Sequence, residues 1–224
     1  MDWAMRDLPP EKRYALLISV MVPRPIAWVS SRDTAGRPNV APFSFFTCVA
    51  SHPLLVGFTV MSREGRAKDT LANAESTGEW VINVVTEDLL PQAVQTSIEA
   101  PADFDEARYA GLELEPAVHV RAPRIRRSPA HLECRLHRIV PFGEADGRSN
   151  PSYFVVGEVV HLHVADEVLT DGRVDPLALR AAGRMGGPLY TRTRDILRFE
   201  RPRWPEDAVR PAEAGPPGRV GDGG

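Results

Sequence analysis

The 224-residue sequence is poor in cysteine: its two, Cys48 and Cys134, are too few and too far apart to form a disulfide framework. Lysine is nearly absent too, since 25 of the 27 basic residues are arginine and only Lys12 and Lys68 are lysine. There is no basic surplus. Thirty acidic residues leave a formal net charge of −3, which excludes a generic nucleic-acid binder whose phosphate contacts need excess positive charge. No apolar run reads as a membrane span, because the longest uncharged stretch, 39–62, is interrupted by Pro42, His52, Pro53 and several hydroxyl residues. The first residues, MDWAMRDLPPEKR, have mixed charge and no apolar h-region, so a signal peptide is not expected and a cytoplasmic location is. With 21 prolines, 17 glycines and a 43% hydrophobic content, the composition is that of a globular chain. One domain is expected over 1–204. From Pro205 onward nine of the twenty residues are Pro or Gly, and 205–224 reads as a disordered tail.

The familiar catalytic signatures are missing as well. There is no G-x-S-x-G elbow, Walker loop or G-x-G-x-x-G, and Gly183-Arg-Met-Gly-Gly187 lacks the Lys-Ser/Thr of a phosphate loop and precedes a strand. His161 and His163 are spaced as metal ligands on one strand face, but no third ligand lies nearby, so they read as exposed strand histidines. His131, Cys134 and His137 look clustered until the alternation around them is read as a strand, which puts Cys134 in the core, opposite both histidines. Cys48 has no basic neighbour to lower its pKa, so it is no nucleophile.

What is present is mainly strand pattern. Tyr14–Met21 reads as a short helix, Ile26–Ser31 as a strand closed by a turn at Asp33–Gly36, and Asn39–Val49 as a strand broken at Pro42. Leu54–Val60 follows, and the three strands with short turns point to an antiparallel meander. Ala67–Glu75 has helical spacing, with Asp69 and Thr70 as first-turn or cap residues and Gly78 as its end. Trp80–Val85 is a strand; Glu87–Thr96 is a helix with Leu89, Leu90, Ala93 and Val94 inward; Asp105–Ala110 is a turn of helix. Two long strands come next: Ala130–Val140, half-buried through Leu132, Cys134 and Leu136, and Tyr153–Val164, with Phe154, Val156, Val160, Leu162 and Val164 on one face. The last strand is Tyr190–Phe199. Six or seven antiparallel strands with few helices favour a barrel or sandwich.

Two segments carry chemistry. In Gly36–Thr47, small hydroxyl and amide side chains alternate with aromatics across Pro42, which marks an edge or bulge and leaves backbone groups available to a flat heteroaromatic ligand. In Met61–Thr70, a strand end meets a helix start with three cations, two hydroxyls and Gly65, a suitable seat for an anion. An ordinary buried strand and a solvated capped turn are the bland alternatives. Together the segments describe a platform for a planar ring beside a phosphate seat.

These residues resemble the flavin reductase-like, FMN-binding split-barrel family, which includes flavoredoxin-type proteins and reductase components of two-component monooxygenases. The resemblance rests on Pro23-Arg-Pro-Ile-Ala-Trp-Val-Ser30, Asn39-Val-Ala-Pro-Phe-Ser44-Phe-Phe, Ser51-His-Pro53, Lys68-Asp-Thr70 and Glu79-Trp-Val-Ile-Asn83-Val. It continues through Ala110-Gly-Leu112, Leu132-Glu-Cys134, Val156-Gly-Glu-Val159 and Arg184-Met-Gly-Gly-Pro-Leu-Tyr190, and so covers 12–202. It implies a mainly β fold, a six-stranded antiparallel Greek-key split barrel with flanking helices, and a homodimer with FMN at the subunit interface. By the same resemblance Asn39, Ser44, Phe45 and Thr47 are ring or ribityl contacts. Ser62, Arg63, Lys68 and Thr70 are phosphate contacts, Asp69 caps the helix, and the Arg184–Tyr190 turn closes the site, with Tyr190 among the binding residues. The activity implied is reduction of FMN by NADH or NADPH, with electrons passed to free flavin or a partner such as a monooxygenase. An FMN electron carrier not reduced by NAD(P)H, and a non-flavin anion-binding or assembly module, are the rival readings.

Overall fold

Residues 1–62, 68–143, 151–201, 203–204 and 218–219 are described by the computed structural model of the chain. Helix α1 (Pro10–Val20) opens on Pro10 at its first position, where the missing N–H has no helical partner to lose. Strands β1 (Ala27–Arg32), β2 (Pro38–Phe43), β3 (Phe46–Ser51) and β4 (Leu54–Met61) follow. Helix α2 (Asp69–Thr77) ends at Gly78, whose φ of 70° supplies the left-handed cap expected there. Beyond β5 (Glu79–Val84) come two short helices, α3 (Leu90–Gln95) and α4 (Glu106–Tyr109), the latter capped by the Asp105 carboxylate. The hairpin β6 (Leu114–Glu115) and β7 (Arg124–Ile125) leads to the long strands β8 (Ala130–Phe142) and β9 (Ser152–Val164). A small hairpin β10 (Leu169–Thr170) and β11 (Arg173–Val174), helix α5 (Pro176–Leu179), and the hairpin β12 (Ala182–Arg184) and β13 (Tyr190–Arg192) complete the chain up to β14 (Leu197–Arg198). The last pairs with β15 (Gly218–Arg219). The disordered tail expected over 205–224 otherwise lies outside the described residues.

One seven-stranded antiparallel sheet organises the molecule, in the order β2-β1-β5-β8-β9-β4-β3. It curls so that β2 comes over β4: the Phe43 and Phe58 rings lie 5.0 Å apart. Inside the curl Val29, Phe43, Phe58, Val60, Trp80, Ile82, Cys134 and Val155 form the main core, sealed at one side by Leu71 and Ala74 of α2. A second core on the outer face joins Trp28, Val40, Leu89, Ala93 and Ile125, and Trp28 Nε1 donates to Thr96 Oγ1 at 2.8 Å. Among the described residues no helix is long and apolar enough to cross a membrane.

Several boundaries differ from the sequence pattern for physical reasons. The segment 39–49 is two strands, broken at Ser44–Phe45 rather than at Pro42. Pro42 stays in β2 opposite Trp28, tolerated because β2 is an edge strand. Since β2 and β3 lie on opposite edges, the first strands make two separated hairpins, not one meander, and the sheet has seven strands rather than six. Helix α3 is shorter than 87–96, and Val94 faces outward. On β8, Glu133 and His131 are buried rather than exposed, because a loop covers the outer face: the Glu133 carboxylate accepts the N–H groups of Val118 (2.8 Å), His119 (2.5 Å) and Val120 (3.1 Å). On β9 it is Tyr153, Val155 and Val159 that face the barrel core; a bulge leaves Val160 unpaired and packed on the outer face with Val81 and Val120, and Leu162 is exposed. The strand expected over 190–199 pairs only at Tyr190–Arg192 and Leu197–Arg198.

Candidate functional site

The β2–β3 break is the origin of the site. The chain must cross from one sheet edge to the other there, and Ser44 stands at the junction of two adjoining cavities. The first, about 560 Å³, is apolar and lined by Leu17, Val20, Met21, Phe45, Phe46 and Phe154, with Thr47 at its margin. The second, about 520 Å³, is polar and carries Ser44, Ser62, Lys68, Arg24, Arg184 and Tyr190. Both volumes fall in the roughly 300–1,000 Å³ range of small-molecule sites.

At the polar cavity, β4 ends and α2 begins. Ser62 is buried and donates its hydroxyl and its amide to the Pro151 carbonyl, at 2.6 and 3.0 Å. Lys68 occupies the cap position of α2 without any side-chain cap bond, and its Nζ lies 5.9 Å from the Phe43 ring centroid. The helix start leaves backbone N–H groups without intrahelical partners, and its dipole favours negative charge. Asp69 sits in the first turn and does not cap the helix. Arg63 lies outside the described residues.

Asn39 and Thr70 meet each other instead of a cavity. Asn39 Nδ2 donates to Thr70 Oγ1 at 2.8 Å, and Asn73 Nδ2 donates to Ser31 Oγ at 3.1 Å, which fastens the start of α2 to β1 and β2. Phe45 and Thr47 line the apolar cavity, with the Phe45 ring 6.4 Å from Tyr14 of α1. Ser44, Ser62, Lys68 and Tyr190 are therefore the expected residues that the fold gathers around the polar cavity.

Arg24, which sequence reasoning left without a role, and Arg184, expected only as the start of a closing turn, complete the wall. Arg24 is buried; its Nη1 donates to the carbonyls of Ile18 (2.7 Å) and Met21 (2.6 Å), its Nη2 to that of Met185 (2.9 Å), and its Nε has no partner among the described residues. Burial draws the Arg24 pKa down, Tyr14 opposes this and Arg184 adds to it. Arg184 is joined to Arg24 by two backbone hydrogen bonds, of 2.9 and 2.8 Å, and its guanidinium stacks 4.4 Å from the Tyr190 ring centroid. The turn between β12 and β13 packs on α1. A Cβ at Gly186 would stand 2.9 Å from Ser19 Oγ and 3.1 Å from its Cα, while Gly187 has φ of 56°. The signal in the sequence was Pro23-Arg24-Pro25 together with the glycines of 183–187; what hid the site was the long separation between them.

The charge of the cavity is unbalanced. Among the described residues Arg24, Lys68 and Arg184 have no carboxylate in ion-pair range, whereas several arginines elsewhere do: Arg124 with Glu115 and Arg121 with Glu79, each at 2.7 Å, and Arg180 and Arg194 with Glu87. Among the described residues Glu99 is the one carboxylate on the cavity wall. The histidines offer no rival centre. His119 stacks with His161 and His131 with His163, and no group of metal-ligand geometry exists among the described residues.

Comparison with known proteins adds three structures and a family. The model of the flavin reductase like domain matches residues 19–187. Nitrilotriacetate monooxygenase component B from Bacillus cereus is 28% identical with a TM-score of 0.83, the match covering 89% of this chain and 98% of that one. The 2-nitrobenzoate 2-nitroreductase NbaA of Pseudomonas fluorescens is 30% identical with a TM-score of 0.80, over 91% and 98%. A split barrel domain protein of flavin reductase type from Shewanella frigidimarina is 25% identical with a TM-score of 0.76, over 90% and 100%.

Proposed function

The chain belongs to the flavin reductase-like family, with its split-barrel fold, and from that premise we propose that it binds FMN in the polar cavity and acts as an NAD(P)H-dependent flavin reductase. The observation that carries the reading is the cavity itself: hydroxyls, an aromatic ring, a helix start and three cations without carboxylate partners among the described residues fit a ligand that is planar at one end and a phosphate at the other.

Lys68 and the first amides of α2 hold the phosphate, Asn39 and Thr70 keep that helix start in place from behind, and Ser62, whose hydroxyl proton goes to the Pro151 carbonyl, shapes the wall beside them. Ser44 and Tyr190 flank the ring, and Phe45 and Thr47 form the apolar approach to it. When bound, FMN supplies the hydride and electron transfer that no side chain of the protein can. The protein's own part is to orient the ligand, offset the charge of its phosphate with Lys68 and the start of α2, and keep water from the apolar side. No side chain is assigned as acid or base.

A second copy of the chain completes the site in this reading. Helix α1 buries none of its residues and presents Leu17 and Val20 at the apolar cavity and Tyr14 at the polar one, a face that a homodimer would cover. The electrons go to free flavin or to a protein partner, as the monooxygenase component relative illustrates. The test is flavin uptake by the purified protein, followed by steady-state oxidation of NADH and NADPH with added FMN. Turnover with either supports the reductase; a flavin reduced by dithionite but by neither nicotinamide identifies an electron carrier; a protein that takes up no FMN defeats both.

A further inference from the structure

The polar cavity holds more positive wall than the phosphate seat uses. Lys68 lies at the start of α2, whereas Arg24 and Arg184 come from a different part of the fold, the backbone bridge between the segment after α1 and strand β12. Arg184 is a built group rather than a loose surface chain. Its backbone is clamped to Arg24, its guanidinium plane lies on Tyr190, and its Nη2 donates to the Gly187 carbonyl at 2.6 Å. The rest of its fork has no acceptor among the described residues. Beneath it, Arg24 spends both Nη groups on the carbonyls of Ile18, Met21 and Met185, so this second guanidinium cannot turn away, and no carboxylate of the described residues answers either charge.

A planar cation stacked on an aromatic ring, next to an apolar cavity, recognises an oxyanion attached to a flat ring or a sugar. We infer that Arg184, stacked on Tyr190 and backed by Arg24, is a second anion seat, separate from Lys68, which takes the carboxylate or pyrophosphate of the substrate that meets the flavin. The substrate of the site is thus an anion, and a neutral ring of the same shape is a poor one. This rests on the flavin reading, because the seat is useful only beside a bound ring.

The experiment uses FMN-loaded protein and three probes, benzoate, its neutral isostere benzamide, and ADP, with binding read from the perturbation of the flavin absorbance. Benzoate or ADP should bind at least tenfold more tightly than benzamide, and Arg184→Gln should abolish that preference. Arg184→Lys should recover only part of it, since a point charge lacks the fork. ADP stronger than benzoate identifies a pyrophosphate donor, and the reverse a carboxylate; either supports the seat. FMN titration of the same variants is the control. If Arg184→Gln weakens FMN as much as Lys68→Ala does, the seat belongs to the flavin and the inference is overturned; equal binding of benzoate and benzamide overturns it too. If the wild type takes up no FMN, the flavin reading fails by itself, and calorimetry on the flavin-free protein then decides the seat: saturable anion binding lost in Arg184→Gln keeps it, and no saturable binding removes it. Thermal unfolding of each variant separates loss of binding from loss of fold.

Discussion

Lys68 is one of two lysines in the chain, and it stands where a strand end, a helix start and a polar cavity meet. Replacing it with alanine should weaken FMN by about 1.5–3 kcal/mol, the usual worth of a hydrogen bond to a charged group, read by fluorescence titration; unchanged affinity would remove Lys68 from the phosphate seat. His131 offers a second residue-scale test. Burial draws its pKa below the ordinary value, the Ile125 carbonyl opposes, and Arg124 and His163 add to the lowering. The folded state therefore binds fewer protons there than the unfolded state. Stability should be level above about pH 6.5 and fall as the pH drops below it. Urea unfolding across that window, compared between wild type and His131→Asn, measures the slope, which should flatten in the variant.

At the scale of elements, the periodicity of β8 foretold Leu132, Cys134 and Leu136 on the barrel side but not the cover on the other. Alternation reports a buried face; it is silent about a polar residue buried under a loop for its hydrogen bonds. Burial pushes the Glu133 carboxyl up, but the N–H groups of Val118 and His119, the nearby His161 and the Val120 N–H outweigh it and hold the pKa below the usual range. Glu133→Ala leaves the buried Val120 N–H and the half-buried N–H groups of Val118 and His119 without their acceptor and should cost about 1–3 kcal/mol of unfolding free energy, measured by denaturant titration. Glu133→Gln, which keeps an acceptor, should cost less. The β12–β13 hairpin follows the same logic, since Gly186 is required by the approach of Ser19, a contact invisible to any local pattern.

Across the whole molecule, the face around α1 makes the sharpest demand. Val20 is 75% exposed, Met21 58% and Leu17 51%, and all three border the apolar cavity. Light scattering behind size exclusion should give twice the chain mass. Val20→Glu should shift the population to monomer and weaken FMN together, because the site would lose the copy that closes it; a monomeric wild type that binds FMN fully would end the homodimer reading. The acidic residues outnumber the basic ones, so the cavity is a local positive region in a weakly negative molecule.

The amino-acid sequence by itself determined the mainly β class, most strand and helix positions and the family, because these depend on periodicity, turn residues and contiguous motifs. Tertiary structure alone decided that 39–49 divides between opposite sheet edges. It alone turned Asn39 toward Thr70 and joined Arg24 to Arg184 across 160 positions of chain. The reason is physical: strand order and the packing of α1 against a distant hairpin arise from long-range pairing, and no local pattern of side chains encodes which edge a strand will join.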